Sequence, residues 1–271
     1  TTGPCVTLGT STSNLIVPSG TTLTLSRNGT STTDFSITSG GKITLNGTAV
    51  LDNRAGTTGT IAGAGAITLN GTSKYIHNHT GTTLIGAVAS TVSYGSGTTC
   101  EIKGLVGATS FAAGSQSFQN FIWNNGGATA GCNLTGSLTS IAGTFDIQNT
   151  NNQNFRLTGA AALTLNIGGD LKVSGLNGIS KLDLCNGAGN PTVNVTGNVE
   201  IGGNSFAATL LSANAATLRV SGNWTNGTNG TFTSANTTVE FNSTTANQTI
   251  TKSTSETFNT LIINNTFGGT G

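Results

Sequence analysis

The sequence predicts an all-β fold, a right-handed parallel β-helix or β-solenoid with coils of about 20–30 residues. Three observations carry that reading: a long segment that occurs twice, a shorter landmark that recurs at coil spacing, and a composition suited to strands and tight turns. The long segment is Ser117-Phe118-Gln119-Asn120-Phe121-Ile122-Trp123-Asn124-Asn125. It returns 140 residues later as Thr257-Phe258-Asn259-Thr260-Leu261-Ile262-Ile263-Asn264-Asn265. Just upstream, Thr98-Thr99-Cys100-Glu101-Ile102 returns as Thr237-Thr238-Val239-Glu240-Phe241 at an offset of 139. A chain that copies itself at fixed period is an array whose units bury apolar faces on one another.

The shorter landmarks follow in chain order. Ile43-Thr44-Leu45-Asn46-Gly47-Thr48 recurs unchanged as Ile67-Thr68-Leu69-Asn70-Gly71-Thr72, 24 residues on. Ile141 through Ile147 precedes Leu165 through Val173, which matches Val193 through Ile201 at an offset of 28, and Leu218 through Trp224 follows at 25. Each copy reads apolar-x-apolar, a short Gly/Asn/Asp break, then apolar-x-apolar. Alternation with period two gives each piece one buried face. The break is either a hairpin turn, which makes an array of antiparallel β-sandwich repeats, or a corner between sheets of a solenoid. Recurrence at 24 to 28 residues favours the corner, because stacked rungs place like over like. That stacking sets Asn166 over Asn194, Asp170 over Asn198 over Asn223, and Lys172 beside Glu200 on the solvent face.

The inward set expected from the alternation is Leu23, Leu25, Ile43, Leu45, Ile67, Leu69, Phe145, Ile147, Leu165, Ile167, Val193, Val195, Leu218 and Val220. Residues 1–271 read as one elongated unit, with a weak seam near 149–154 where Asn-Thr-Asn-Asn-Gln-Asn interrupts the alternation. The C-terminal segment stops just after a repeat landmark, so the chain is expected to form part of a longer protein.

Composition narrows the function classes. Charged residues make up 7% of the chain against about 25% in ordinary domains, and the formal net charge is +1. Neither nucleic acid nor an acidic membrane surface is an expected partner. Hydrophobic residues at 35%, placed in regular alternation, argue against disorder. Thr, Ser, Asn and Gly fill the polar positions, so almost no helix is expected. No run approaches the roughly 18 apolar residues of a membrane span, and no membrane insertion is expected.

Several of these landmarks, taken in order, carry a resemblance. Thr98–Ile102, Gln116–Asn124, Leu134–Asn149, Leu163–Gly175 and Ser221-Gly222-Asn223-Trp224 resemble the repeat-rich secreted surface proteins of Bacteroidota over about residues 65–271. The resemblance implies an exported, type IX secretion-type, adhesin-like protein with a C-terminal sorting domain, of which no trace is visible here. It transfers no catalytic residue, and no cofactor is expected.

The chemistry-bearing residues are sparse. Cys5, Cys100, Cys132 and Cys185 form no CxxC pair and no metal spacing. Cys100 occupies the slot of Val239 in the second copy, which reads as a small buried hydrophobe; a Cys100–Cys132 disulfide between adjacent rungs is the alternative. Cys132 is expected to share the inward face of Leu134. His77 and His79 flank Asn78 and point the same way on a strand, but no third ligand stands near, so a polar strand face or loop is expected. The carboxylates Asp34, Asp52, Glu101, Asp146, Asp170, Asp183, Glu200, Glu240 and Glu256 are scattered. Glu101 and Glu240 fall in one slot of the long repeat, and Asp146 and Asp170 fall at corners, all structural positions. No G-x-S-x-G or similar motif accompanies them. The Asn-x-Ser/Thr sequons, such as Asn46, Asn70 and Asn194, are common by chance in so Thr- and Asn-rich a chain.

The leading expectation is a non-catalytic extracellular structural or adhesin-like protein forming a shaft or filament at the cell surface. Its partners would be further repeats, copies of itself, or a surface polysaccharide. A carbohydrate-binding or polysaccharide-cleaving β-helix is the second reading; it needs an exposed aromatic row, for which Trp123, Trp224, Tyr75 and Tyr94 are the candidates. An ice-binding solenoid is the third, but no regular stack of Thr-x-Thr elements like Thr22-Leu23-Thr24 is visible in the sequence.

Overall fold

The computed structural model describes residues 6–8, 13–26, 35–37, 40–54, 61–62, 66–82, 91–107, 109–110 and 116–268. Their regular elements are strands, with no helix among the described residues, and the strands pair in parallel. The chain is a β-solenoid. One coil runs from Thr164–Ile167 through Leu171–Val173 and Ser180–Cys185 to Thr192–Val195, which lies back on Thr164–Ile167.

Three faces result. The longest is a ten-stranded sheet whose neighbours follow chain order from Thr22–Ser26 to Ile250–Lys252. At about 4.8 Å per rung, ten strands span about 43 Å. A second face holds a four-stranded sheet from Asn14–Val17 to Thr91–Tyr94 and a six-stranded sheet from Ser140–Ile141 to Thr260–Ile263. Phe118 joins the two, bridging to Ile141 and setting its ring 5.3 Å from that of Tyr94. The third face is a three-stranded sheet near the N-terminal end and a five-stranded one from Cys132–Asn133 to Gly230–Thr233.

Alternation explains the core. Ile43, Leu45, Ile67, Leu69, Phe145, Ile147, Leu165, Ile167, Val193, Val195, Leu218 and Val220 are all buried, and Leu23 and Leu25 pack against them partly buried. Each such side chain contributes roughly 1.5–3 kcal/mol by leaving water. Midway along the rod the filling becomes aromatic. Phe121 lies 5.7 Å from Phe145, and Trp123 lies 4.4 Å from Phe155, between ring centroids.

The Gly/Asn/Asp breaks are corners, not hairpin turns. Asp170 Oδ1 accepts the main-chain N–H of Asn198 at 2.8 Å, and Asn198 Oδ1 accepts that of Asn223 at 2.8 Å. Asn223 Oδ1 in turn accepts the N–H of Thr249 at 2.9 Å. A corner N–H that has left the sheet ladder still needs an acceptor, and the residue one coil below supplies it. Glycine is required beside this ladder because corners touch: a Cβ on Gly197 would sit 2.7 Å from the backbone of Gly169. The Asn-rich stretch 149–154 is also a corner, with Asn151 and Asn152 in the left-handed region at φ 50 and 64.

The long repeat has an unexpected placement. Thr99–Ile102 and Asn120–Asn124 lie in the ten-stranded sheet, whereas their copies Thr237–Phe241 and Thr260–Ile263 lie in the six-stranded sheet of another face. The copied unit is therefore a pair of stacked rungs, not a whole number of coils. Its internal contacts survive the move. Asn124 Nδ2 donates to Glu101 Oε1 at 2.8 Å, and Asn264 Nδ2 donates to Glu240 Oε1 at 3.2 Å.

Candidate functional site

The outward surface of the solenoid holds most of the charge, and it is paired both along a rung and across rungs. Glu101 meets Lys74 at 3.0 Å and Lys103 at 3.5 Å. Burial works to raise its pKa, but the Asn124 amide and the two ammonium groups outweigh burial and hold the carboxylate below its ordinary range. Lys172 bridges Glu200 at 2.9 Å and Asp170 at 3.4 Å, the pairing expected from the stacked landmarks. Arg156 meets Asp183 at 2.8 Å, Arg219 meets Glu240 at 2.8 Å, and Arg54 meets Asp52 at 2.7 Å. Asp146 differs: burial pushes its carboxyl up, and Gln148 Nε2 donates to it at 2.8 Å. It lies in register with Lys172, which is in turn in register with Glu200. Asp34 lies outside the described residues.

The histidines correct the sequence expectation of a polar strand face. His77 and His79 are both buried, inside the solenoid, with ring centroids 3.9 Å apart. His77 Nδ1 is 3.0 Å from Tyr75 Oη, and its Nε2 meets the carbonyl of Gly81 at 2.6 Å. The Gly81 N–H donates to His79 Nδ1 at 3.1 Å, while His79 Nε2 lies 3.3 Å from Asn53 Nδ2. Burial, and secondarily the neighbouring His79, push the pKa of His77 down to about 3. The signal was present in the sequence. Lys74–His77 pairs with Thr99–Ile102, so His77 occupies the inward column of Ile102. No group of three His, Cys, Asp or Glu side chains able to hold a metal occurs among the described residues.

Cys100, Cys132 and Cys185 are buried free thiols, so the structure does not join Cys100 to Cys132. Cys100 lies in the ten-stranded sheet and Cys132 in the five-stranded sheet of a different face. Cys132 is buried with Leu134 as expected, and burial pushes both the Cys100 and Cys132 thiols up to about 12. Cys5 lies outside the described residues.

The aromatic candidates for sugar stacking are inside. Trp123, Trp224, Tyr75 and Tyr94 are all buried. Trp224 belongs to a polar knot near the C-terminal end: its Nε1 donates to Glu256 Oε2 at 3.0 Å, as does Asn226 Nδ2 at 2.7 Å. Lys252 Nζ holds the other oxygen at 3.2 Å. Phe258 closes the core beside this knot, 5.4 Å from the Trp224 ring.

A stack of threonines, not visible in the sequence, does exist. Thr164, Thr192, Thr217, Thr238 and Thr260 stand in register on successive rungs of the six-stranded sheet. The column beside it is mixed, running Asn166, Asn194, Arg219, Glu240 and Ile262. Comparison with protein-family models, with curated proteins and with solved structures returns no match.

Proposed function

We propose that this chain is a non-catalytic, extracellular shaft, a rigid spacer of the adhesin-like kind found in the secreted surface proteins its sequence resembles. The observation that carries this reading is the use made of the carboxylates. Seven of the described ones (Asp52, Glu101, Asp170, Asp183, Glu200, Glu240 and Glu256) are held by a Lys or Arg, most of them on a neighbouring rung. Carboxylates committed to cross-rung pairs stiffen a rod and are poorly placed to give or take protons. The burial of both Trp side chains also argues against an aromatic sugar platform. Small-angle scattering tests the shape: a rod of about 43 Å or more with a constant cross-section is expected. Release of sugar ends from a polysaccharide panel, lost in Asp146→Asn, would overturn the reading in favour of a cleaving enzyme.

The five-rung threonine column favours a second reading, an array that orders water or a crystalline hydroxyl surface. Its assay is growth-arrest of ice crystals, lost in Thr192→Lys and Thr217→Lys.

A further inference from the structure

One inward column of the ten-stranded sheet reads Ile147, Val173 and Ile201 in register, and then Asn226 and Lys252. An amide and an amine therefore follow three aliphatic side chains in a core column. Asn226 is buried, and the Lys252 side chain is only 18% exposed. Polar groups are costly in such a place unless they are bonded.

One carboxylate holds both. Lys252 Nζ donates to Glu256 Oε1 at 3.2 Å, and Asn226 Nδ2 donates to Glu256 Oε2 at 2.7 Å. Unlike the cross-rung pairs, Glu256 takes its lysine from its own coil, four residues back. The register sets Asn226 and Lys252 side by side on neighbouring strands, about 4.8 Å apart. Amine and amide thus meet across a single carboxyl group. Asn226 Oδ1 is buried with no hydrogen-bond partner among the described residues. It packs on Gly230, where a Cβ would collide with it, so the amide is held by shape. Trp224 and Phe258 wall the site from water.

We propose that Asn226 and Lys252 join in an intramolecular amide bond, which the chain forms by itself with Glu256 as proton carrier. Glu256 takes a proton from the Lys252 ammonium. The freed Nζ lone pair attacks Asn226 Cγ, and the carbonyl π pair moves onto Oδ1. Glu256 then relays a proton from Nζ to Nδ2, the carbonyl reforms, and the Cγ–Nδ2 bond breaks. Nδ2 leaves as ammonia, which takes the last proton from Glu256 and becomes ammonium. No oxidant or cofactor is needed, and exclusion of water protects the acyl carbon from hydrolysis. The bond ties together residues 26 apart on successive coils, and reductants do not open it. It is independent of the shaft reading.

Glu101 also gathers an amide, Asn124, and two lysines, but on the outward surface. There the Lys74 and Lys103 side chains are 34% and 39% exposed, and solvent stabilises their charge. One link per chain is therefore expected.

Intact-mass measurement of the purified, unfolded chain tests this. The wild type should weigh one ammonia less than its sequence, and its tryptic digest should contain a branched peptide joining Asn226 to Lys252. Lys252→Arg keeps a cation beside Glu256, but a guanidinium stays protonated and cannot attack. That variant should keep the wild-type circular dichroism and show the full sequence mass, as should Glu256→Gln. A folded wild type at full sequence mass overturns the proposal. So does a Lys252→Arg protein that still lacks one ammonia, since Asn226 would then have closed onto the Gly227 nitrogen as a succinimide. If either variant fails to fold, the wild-type digest decides alone, and absence of the branched peptide overturns the proposal.

Discussion

Asn194 donates its side-chain amide to Oδ1 of Asn166, 2.8 Å away on the rung below. The two residues are 28 apart in sequence and directly in register, so one coil of chain brings an asparagine back onto an asparagine. The same arrangement recurs at the corners, where it works on main-chain groups. There the side chain of one coil completes the hydrogen bonding of the next, and coil length and corner chemistry fix each other.

Asn198 tests that dependence. Its Oδ1 accepts the N–H of Asn223, and its own N–H is accepted by Asp170. Asn198→Ala keeps the second bond and removes the protein acceptor of the Asn223 N–H, which should cost about 0.5–1.5 kcal/mol in chemical denaturation. Asn198→Asp keeps an acceptor oxygen in place and should lose much less. Equal losses in the two variants would mean that the corner bond is not the source.

The cysteines give a second test. Cys100 shares its slot in the long repeat with Val239, and both are buried. Cys100→Val should therefore change stability by less than about 1.5 kcal/mol. In a Cys5→Ser background the native protein should resist thiol reagents, because burial holds the Cys100 and Cys132 thiols up to about 12 and Cys185 is also buried. Three thiols should then react on unfolding. Rapid native labelling would mean that Cys100 is not an inner residue.

Much of this architecture was legible because stacking leaves a direct trace in sequence. Ile43–Thr48 and Ile67–Thr72 are identical, and Ile43 and Leu45 lie in register with Ile67 and Leu69. What was not legible was the face. A coil has three strands of similar pattern, so an offset of 140 says that Phe118–Asn125 and Phe258–Asn265 are alike without saying which sheet each joins. Polar identity also misled: His77 reads as surface, but its strand places it in the column of Ile102, where Tyr75 and Gly81 satisfy its nitrogens. The threonine column escaped because its members sit at unequal sequence spacings and align only once the corners are built.

That buried imidazole makes stability depend on pH. The folded His77 titrates at about 3 and the unfolded residue near 6.5. The unfolded chain therefore takes up the proton first, so the neutral fold is fully favoured above 6.5 and loses ground as pH falls toward 3. Between pH 7 and pH 4 the loss should be about 3 kcal/mol. Glu101, whose carboxylate is held below its ordinary range, adds to the loss in the same direction. The His77 share is read as the difference between wild type and His77→Gln in denaturation at the two pH values. Parallel pH profiles would show that His77 is solvated in the folded protein.

The knot at Glu256 should be the most sensitive polar site near the C-terminal end. One carboxylate oxygen accepts from both Trp224 and Asn226, and the other from Lys252, with the Glu256 side chain only 5% exposed. Glu256→Ala removes all three acceptor contacts at once, leaving two buried donors and an ammonium group without their partner. The expected cost is about 3–5 kcal/mol, the range for breaking a buried charge pair by removing one side. Glu256→Gln keeps an acceptor for Trp224 and Asn226 but withdraws the negative charge from Lys252. Adding Lys252→Met to Glu256→Gln should then recover stability, because an uncompensated buried ammonium is removed. Trp224 fluorescence in a Trp123→Phe background reports the site directly. A Glu256→Ala protein as stable as wild type, with unshifted Trp224 emission, would show that the knot does not form.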